Sequence, residues 1–165
     1  MTLSSRGSAY FAVYSETVSA AEMTRRIGAE PDRSTVRGSR FVSPTVVPRT
    51  HAWDLLPRAE AEGTIEEQLR DVLDRVRSHE AEIAELCAVG GCGSVLRIVR
   101  EFRLTAEGAD TLGLALDAQD VALLARVGAF IDISEYDLSA DCGSRTSNST
   151  QPLKPEWWSG GDSNP

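Results

Sequence analysis

No apolar run in the sequence approaches the ~18 residues that a membrane-spanning helix needs. The opening MTLSSRGSAYF has no apolar stretch of the kind a secretory signal carries, so none is expected. Histidine occurs twice and cysteine three times. An odd cysteine count without paired spacing fits no disulfide framework and points to a reducing cytoplasm. Lysine is nearly absent: of seventeen basic residues only Lys154 is lysine, an arginine bias of the kind GC-rich bacterial coding produces. Positive charge is scarce as well, 17 basic residues against 25 acids, for a net charge of −8. Such a chain lacks the basic stripe that nucleic acid requires, and anionic membranes repel it. A protein partner is therefore expected to be basic.

What is present suffices for one core: 165 residues, 41% of them hydrophobic. The expected organisation is a disordered start over 1–9, a single domain over 10–138 and a flexible tail over 139–165. That tail is rich in Ser, Thr, Gly, Pro and Asn and lacks the apolar spacing of a folded segment. Its adjacent Trp157 and Trp158 either dock on a surface or serve no structural role.

Within the domain, aromatic and β-branched residues at 10–14 (YFAVY) predict a first strand. A helix over 19–28 follows, with Ser19 and Glu22 spaced as a capping box and Gly28 as its stop. Alternation broken by Gly38, Pro44, Pro48 and Pro57 predicts two or three short strands, about 33–42, 45–47 and 51–56. Thr64 and Glu67 form a second capping box. Ile65, Leu69, Val72, Leu73 and Val76 then trace one helical stripe, continued by Ile83 and Leu86, for a helix over about 65–89. A break in it would fall at Ser78-His79. A long strand over 94–104, a helix over 118–127 capped by Asp117 and a closing strand over 130–136 complete the pattern. The expected fold is α+β: a mixed, mainly antiparallel sheet of five or six strands packed against three helices.

Arg26-Ile27-Gly28-Ala29 is echoed one hundred residues later by Arg126-Val127-Gly128-Ala129, with Asp32/Asp132 and Ser34/Ser134 in step. Either two helix-to-strand turns share one glycine solution, or the chain contains duplicated halves. The residues just described, in this order, resemble a bacterial family known as domain of unknown function four-two-seven-nine. The resemblance runs through the aromatic first strand, Arg25 to Asp32, Gly38, Trp53, Thr64 to Leu73, and the closing helix and strand with Gly128, Asp132 and Tyr136. It implies the fold class and no activity, cofactor or substrate. The Pro44–Pro48 stretch and the turn from Cys87 to Cys92 depart from it.

Candidate chemistry is sparse. Cys87 and Cys92 flank Gly90-Gly91, but Cys142, His51 and His79 lie far off, so no zinc spacing arises. Free, half-buried thiols are expected, with no metal and no cofactor. Gly90 to Gly93 ends a helix and opens a strand, the reverse of a phosphate-binding loop. Arg97, Glu101 and Arg103 share one face of the long strand, with Arg100 on the other. Beside Trp53 and Asp132 such arginines would line a shallow pocket for a carboxylate or peptide; the plainer alternative is a solvated face of alternating charge. Between 60 and 85, nine acids face Arg70, Arg75 and Arg77, a surplus of six negative charges. Glu66, Asp74 and Glu82 represent that surface, which either steers a basic partner or merely solubilises the chain. The leading functional reading is a non-catalytic interaction domain of a bacterial cytoplasmic protein, of the immunity-like kind that binds a basic protein. The alternative is a small cysteine- or histidine-dependent enzyme, or a carboxylate- or peptide-binding module.

Overall fold

Side chains alternate along β1 (Arg6–Ser15), so Ala9, Phe11 and Val13 point to one face, fully buried, while Tyr10 and Tyr14 point to the other. The computed structural model describes residues 6–39, 47–58, 63–102 and 114–137. β1 begins four residues earlier than its aromatic stretch suggested, and residues 6–9 are strand rather than a frayed start. Composition hid this because Gly7, Ser8 and Ala9 are small, and one of them has to be. A Cβ on Gly7 would lie 2.1 Å from the Ile65 side chain packed over it.

Ser19 accepts a hydrogen bond from the Glu22 amide and opens α1 (Ala20–Ile27), which buries Met23 and Ile27 and stops at Gly28 with φ of 75°. Only half of the expected capping box forms. The Glu22 carboxylate turns instead to Arg25 and Arg26, whose nitrogens donate to it at 2.6–2.8 Å. The next strand is much shorter than expected: β2 covers Arg33–Thr35, and β3 covers His51–Leu55. The expected strand at 45–47 falls almost wholly outside the described residues.

The full capping box of Thr64 and Glu67 starts α2 (Ile65–Ser78), whose Leu69, Val72, Leu73 and Val76 are buried. His79, at φ −128° and ψ 25°, interrupts the run, and α3 (Glu80–Ala88) follows. The anticipated single helix over 65–89 is thus two, which raises the described helices from three to four. The break has a local cause. The Ser78 hydroxyl donates back to the Asp74 carbonyl, and the His79 amide donates to Val76, three residues back, in place of the fourth. β4 (Cys92–Phe102) then runs the length of β1; Asp117 caps α4 (Ala118–Arg126) by accepting from the amides of Gln119 and Asp120, and β5 (Ala129–Asp137) closes the fold.

The sheet order is β2-β3-β1-β4-β5; β5 lies parallel to β4, and every other pair is antiparallel. The chain is therefore α+β with a five-stranded mixed sheet. Phe11, Val13, Trp53, Leu55, Leu96 and Ile98 form the sheet side of one core, and all four helices pack against that same face. Since β3 pairs with β1 only from Phe11 to Ser15, the earlier half of β1 has no neighbouring strand on that side among the described residues. Gln68 of α2 substitutes for one: its Oε1 accepts from the Ala9 amide at 3.0 Å, and its Nε2 donates to the Gly7 carbonyl at 3.2 Å. The two echoed turns share a glycine stop, with Gly128 at φ 67°, but they feed opposite sheet edges with different pairing, β2 antiparallel and β5 parallel.

Candidate functional site

The face of the sheet opposite the helices holds the densest set of functional groups. Its centre is Tyr10 on β1. Arg33 from β2 lies over the ring with its guanidinium carbon 5.3 Å from the centroid, and Arg97 from β4 lies 5.9 Å away. Arg97 also donates to the Tyr10 hydroxyl at 3.2 Å. Each arginine is held by an acid on the neighbouring strand, Asp54 on β3 for Arg33 and Asp132 on β5 for Arg97. Arg33 donates to Asp54 at 2.7 Å, and Arg97 donates to Asp132 at 3.0 Å. By strand, the order across the sheet is Arg33, Asp54, Tyr10, Arg97, Asp132, with each charge beside its opposite. Tyr14 continues the row of aromatics and meets the Phe130 ring edge-on at 6.5 Å.

Electrostatics ties this row down. Asp54 is almost wholly buried, and that burial raises its carboxyl pKa above the ordinary value, outweighing the opposing effects of Arg33 and Arg97. Burial works against the charge on Arg97, but Tyr10 and Asp132 more than offset it, so the guanidinium stays charged. Burial likewise raises the phenol of Tyr14. The chemistry available is recognition by shape, ring faces and fixed dipoles. A free carboxylate receptor would need an arginine fork without a partner, and both arginines here are engaged.

Two expectations need correction. Trp53 does not join this surface: it is fully buried on the helix side, where its Nε1 donates to the Ala29 carbonyl at 3.2 Å. Alternation along β3 places Asp54, not Trp53, beside the arginines, and Trp53 shares the buried face with Leu55. The acidic helices are also less bare than counting suggested. Asp71 pairs with Arg58, Asp74 with Arg77 at 2.6 Å and Glu80 with Arg126. Glu66 and Glu82 stand exposed on α2 and α3, the latter on the rim of a shallow cleft of about 590 Å³ beside Arg77, Glu80 and Arg126. Arg103, Cys142, Trp157 and Trp158 lie outside the described residues. Tyr10 and Arg33 are the surface residues that sequence reasoning missed; the outward position of Tyr10 in an alternating strand was the available signal.

The register places Cys92, Ser15 and His51 side by side across β4, β1 and β3. That row does not make a nucleophile and base. The Ser15 hydroxyl donates to the Gly91 carbonyl and accepts from the amides of Thr17 and Val18, and so holds two turns together. His51 accepts from the Arg37 amide through Nδ1 at 3.1 Å. Cys87 and Cys92 are free, and burial pushes both thiols up, away from the thiolate form. Among the described residues no cluster of His, Cys, Asp and Glu is arranged to hold a metal, and no helix is long and apolar enough to cross a membrane.

A family profile described as "Domain of unknown function (DUF4279)" matches residues 5–138. No curated protein and no solved structure matches the chain.

Proposed function

The chain belongs to the DUF4279 family, a membership that names no activity, and on that premise we propose from the geometry that it is a non-catalytic interaction domain that docks a basic protein on the open face of its sheet. The observation that carries this reading is Tyr10 fixed between Arg33 and Arg97, each held by an acid. Tyrosine and arginine dominate binding hot spots, and side chains already ordered in the free protein lose little entropy on docking. The paired acids neutralise the platform locally, while the net charge of −8 attracts a basic partner from a distance. The finer form of the proposal is an immunity-like role in the bacterial cytoplasm, in which this face covers the working surface of a basic toxin. The raised thiols support the non-catalytic reading over a cysteine enzyme.

Affinity capture from a native-host lysate tests it, with the wild-type chain run beside Tyr10→Ala/Arg97→Ala. The expected result is a basic protein held by the wild type and lost from the double variant, with an unchanged circular dichroism spectrum. Equal capture by both would remove the open face from the interaction. Rapid alkylation of Cys87 or Cys92 at neutral pH would favour the enzyme instead.

A further inference from the structure

We propose that β5 is a self-association edge: it pairs antiparallel with β5 of a second copy, across a two-fold axis through Ile133, and joins two five-stranded sheets into one of ten. The two edges of the sheet are built differently. β2 is three polar residues long (Arg33, Ser34, Thr35), short and charged as protected edges are. β5 is nine residues long, AFIDISEYD, without lysine, proline or glycine. No described strand pairs with it on the side away from β4. On it Ile133 is 49% exposed, Tyr136 48%, Ile131 41% and Phe130 38%, four of the eight exposed large hydrophobics of the described residues. An edge of this kind, with about half its backbone N–H and C=O groups pointing outward, is a template for a further strand.

The sequence of β5 selects its own copy as the occupant. A two-fold axis perpendicular to a sheet pairs only residues that point to the same face, so the axis must pass through a residue. Ile133 is the midpoint of Ala129–Asp137, and an axis there pairs the strand over its whole length. Ile133 then meets its copy, Phe130 lies opposite Tyr136, and Asp132 lies opposite Ser134. Shifting the axis to Asp132 sets two aspartates against each other, and shifting it to Ser134 sets both Ile131 and Ile133 against acids, where the Ile133 axis sets only Ile131 against one, Glu135. The acids near the axis are already neutralised within each chain, Asp132 by Arg97 and Glu135 by Arg100, at 3.0 and 2.9 Å. The dimer thus juxtaposes no unpaired charges. This surface is the edge of the sheet, not its open face, and the proposal stands independently of the docked partner.

One strand pair with its flanking side chains is a small interface, below ~1,200 Å², which implies a concentration-dependent dimer. Sedimentation equilibrium of the full chain should show the mass rising from 17.8 kDa toward twice that value between ~1 and ~200 µM. Ile133→Lys should remain monomeric over the same range with an unchanged circular dichroism spectrum. Ile133→Cys should oxidise to a cross-linked dimer well above the wild-type background and above Val121→Cys, because residues on the axis bring their Cα atoms within ~4.5–5.5 Å, inside disulfide range. A monomer at every concentration, a dimer that survives Ile133→Lys, or no excess cross-linking of Ile133→Cys would each overturn the proposal. If Ile133→Lys unfolds, the cysteine variant decides alone.

Discussion

At Gly28 and Gly128 an added Cβ would meet no atom within 4 Å, so backbone conformation alone sets the cost of replacing them. Both hold positive φ, 75° and 67°, which alanine adopts only under strain. Gly28→Ala and Gly128→Ala should each lower stability by about 1 kcal/mol in urea denaturation, and no loss at either site would refute the strain argument. Glu22 gives a second test at this scale. Its side chain is partly exposed, and the hydrogen bonds from Arg25 and then Arg26 lower its pKa to about 2 from the ordinary 4.5. A carboxyl whose pKa is depressed in the folded state supports folding above its unfolded value and loses that support as pH falls. The contribution of Glu22 is therefore present above about pH 4.5 and fades toward pH 2, a window set by its two pKa values. Side-chain NMR titration should place its midpoint well below those of unpaired glutamates, and Arg25→Ala/Arg26→Ala should return it toward the ordinary value.

Among the elements, α2 carries the sharpest expectations. Leu69 and Val72 are buried, while Ile65 at its first turn is only half-buried. Leu69→Ala should cost about 2–4 kcal/mol, Val72→Ala somewhat less, and Ile65→Ala the least of the three by thermal denaturation. Gln68 interrupts the apolar stripe, and its amide completes the hydrogen bonding of β1. Gln68→Leu leaves the Ala9 amide and the Gly7 carbonyl without that partner and should cost about 1–3 kcal/mol despite its greater hydrophobicity. A Gln68→Leu chain as stable as the wild type would show that water replaces the amide. The Thr64–Glu67 capping box, the apolar stripe and the site of the break at Ser78-His79 were legible in the sequence because each rests on residues within four positions of one another. The role of Gln68 was not, because it depends on where β3 stops alongside β1, fifty to sixty residues away.

For the whole molecule, the relevant quantity is a net charge of −8 distributed over a framework in which most described arginines are paired. If a basic partner is attracted by this field, its association rate should fall as salt rises, since exposed charges are screened beyond ~10 Å at 0.1 M. Reversing Glu66, Asp74 and Glu82 to lysine should slow association with little effect on dissociation. Asp74 should contribute least, because Arg77 already neutralises it. A rate indifferent to both salt and reversal, measured by stopped flow, would reduce the acidic helices to a solubility device.

The sequence by itself determined the α+β class, the positions of the helices, the glycine stops and the alternation of each strand, because caps and periodicity are local physics. Only the tertiary structure decided which strand lies beside which, and that choice governs everything functional. Lateral pairing brought Tyr10, Arg33 and Arg97 together from three strands, sent Trp53 into the core and left β5 at an edge of the sheet the described residues form. Such neighbours are separated by twenty to ninety positions in the chain, and the free energy that selects them comes from burying one face of the whole sheet at once, which no local pattern encodes.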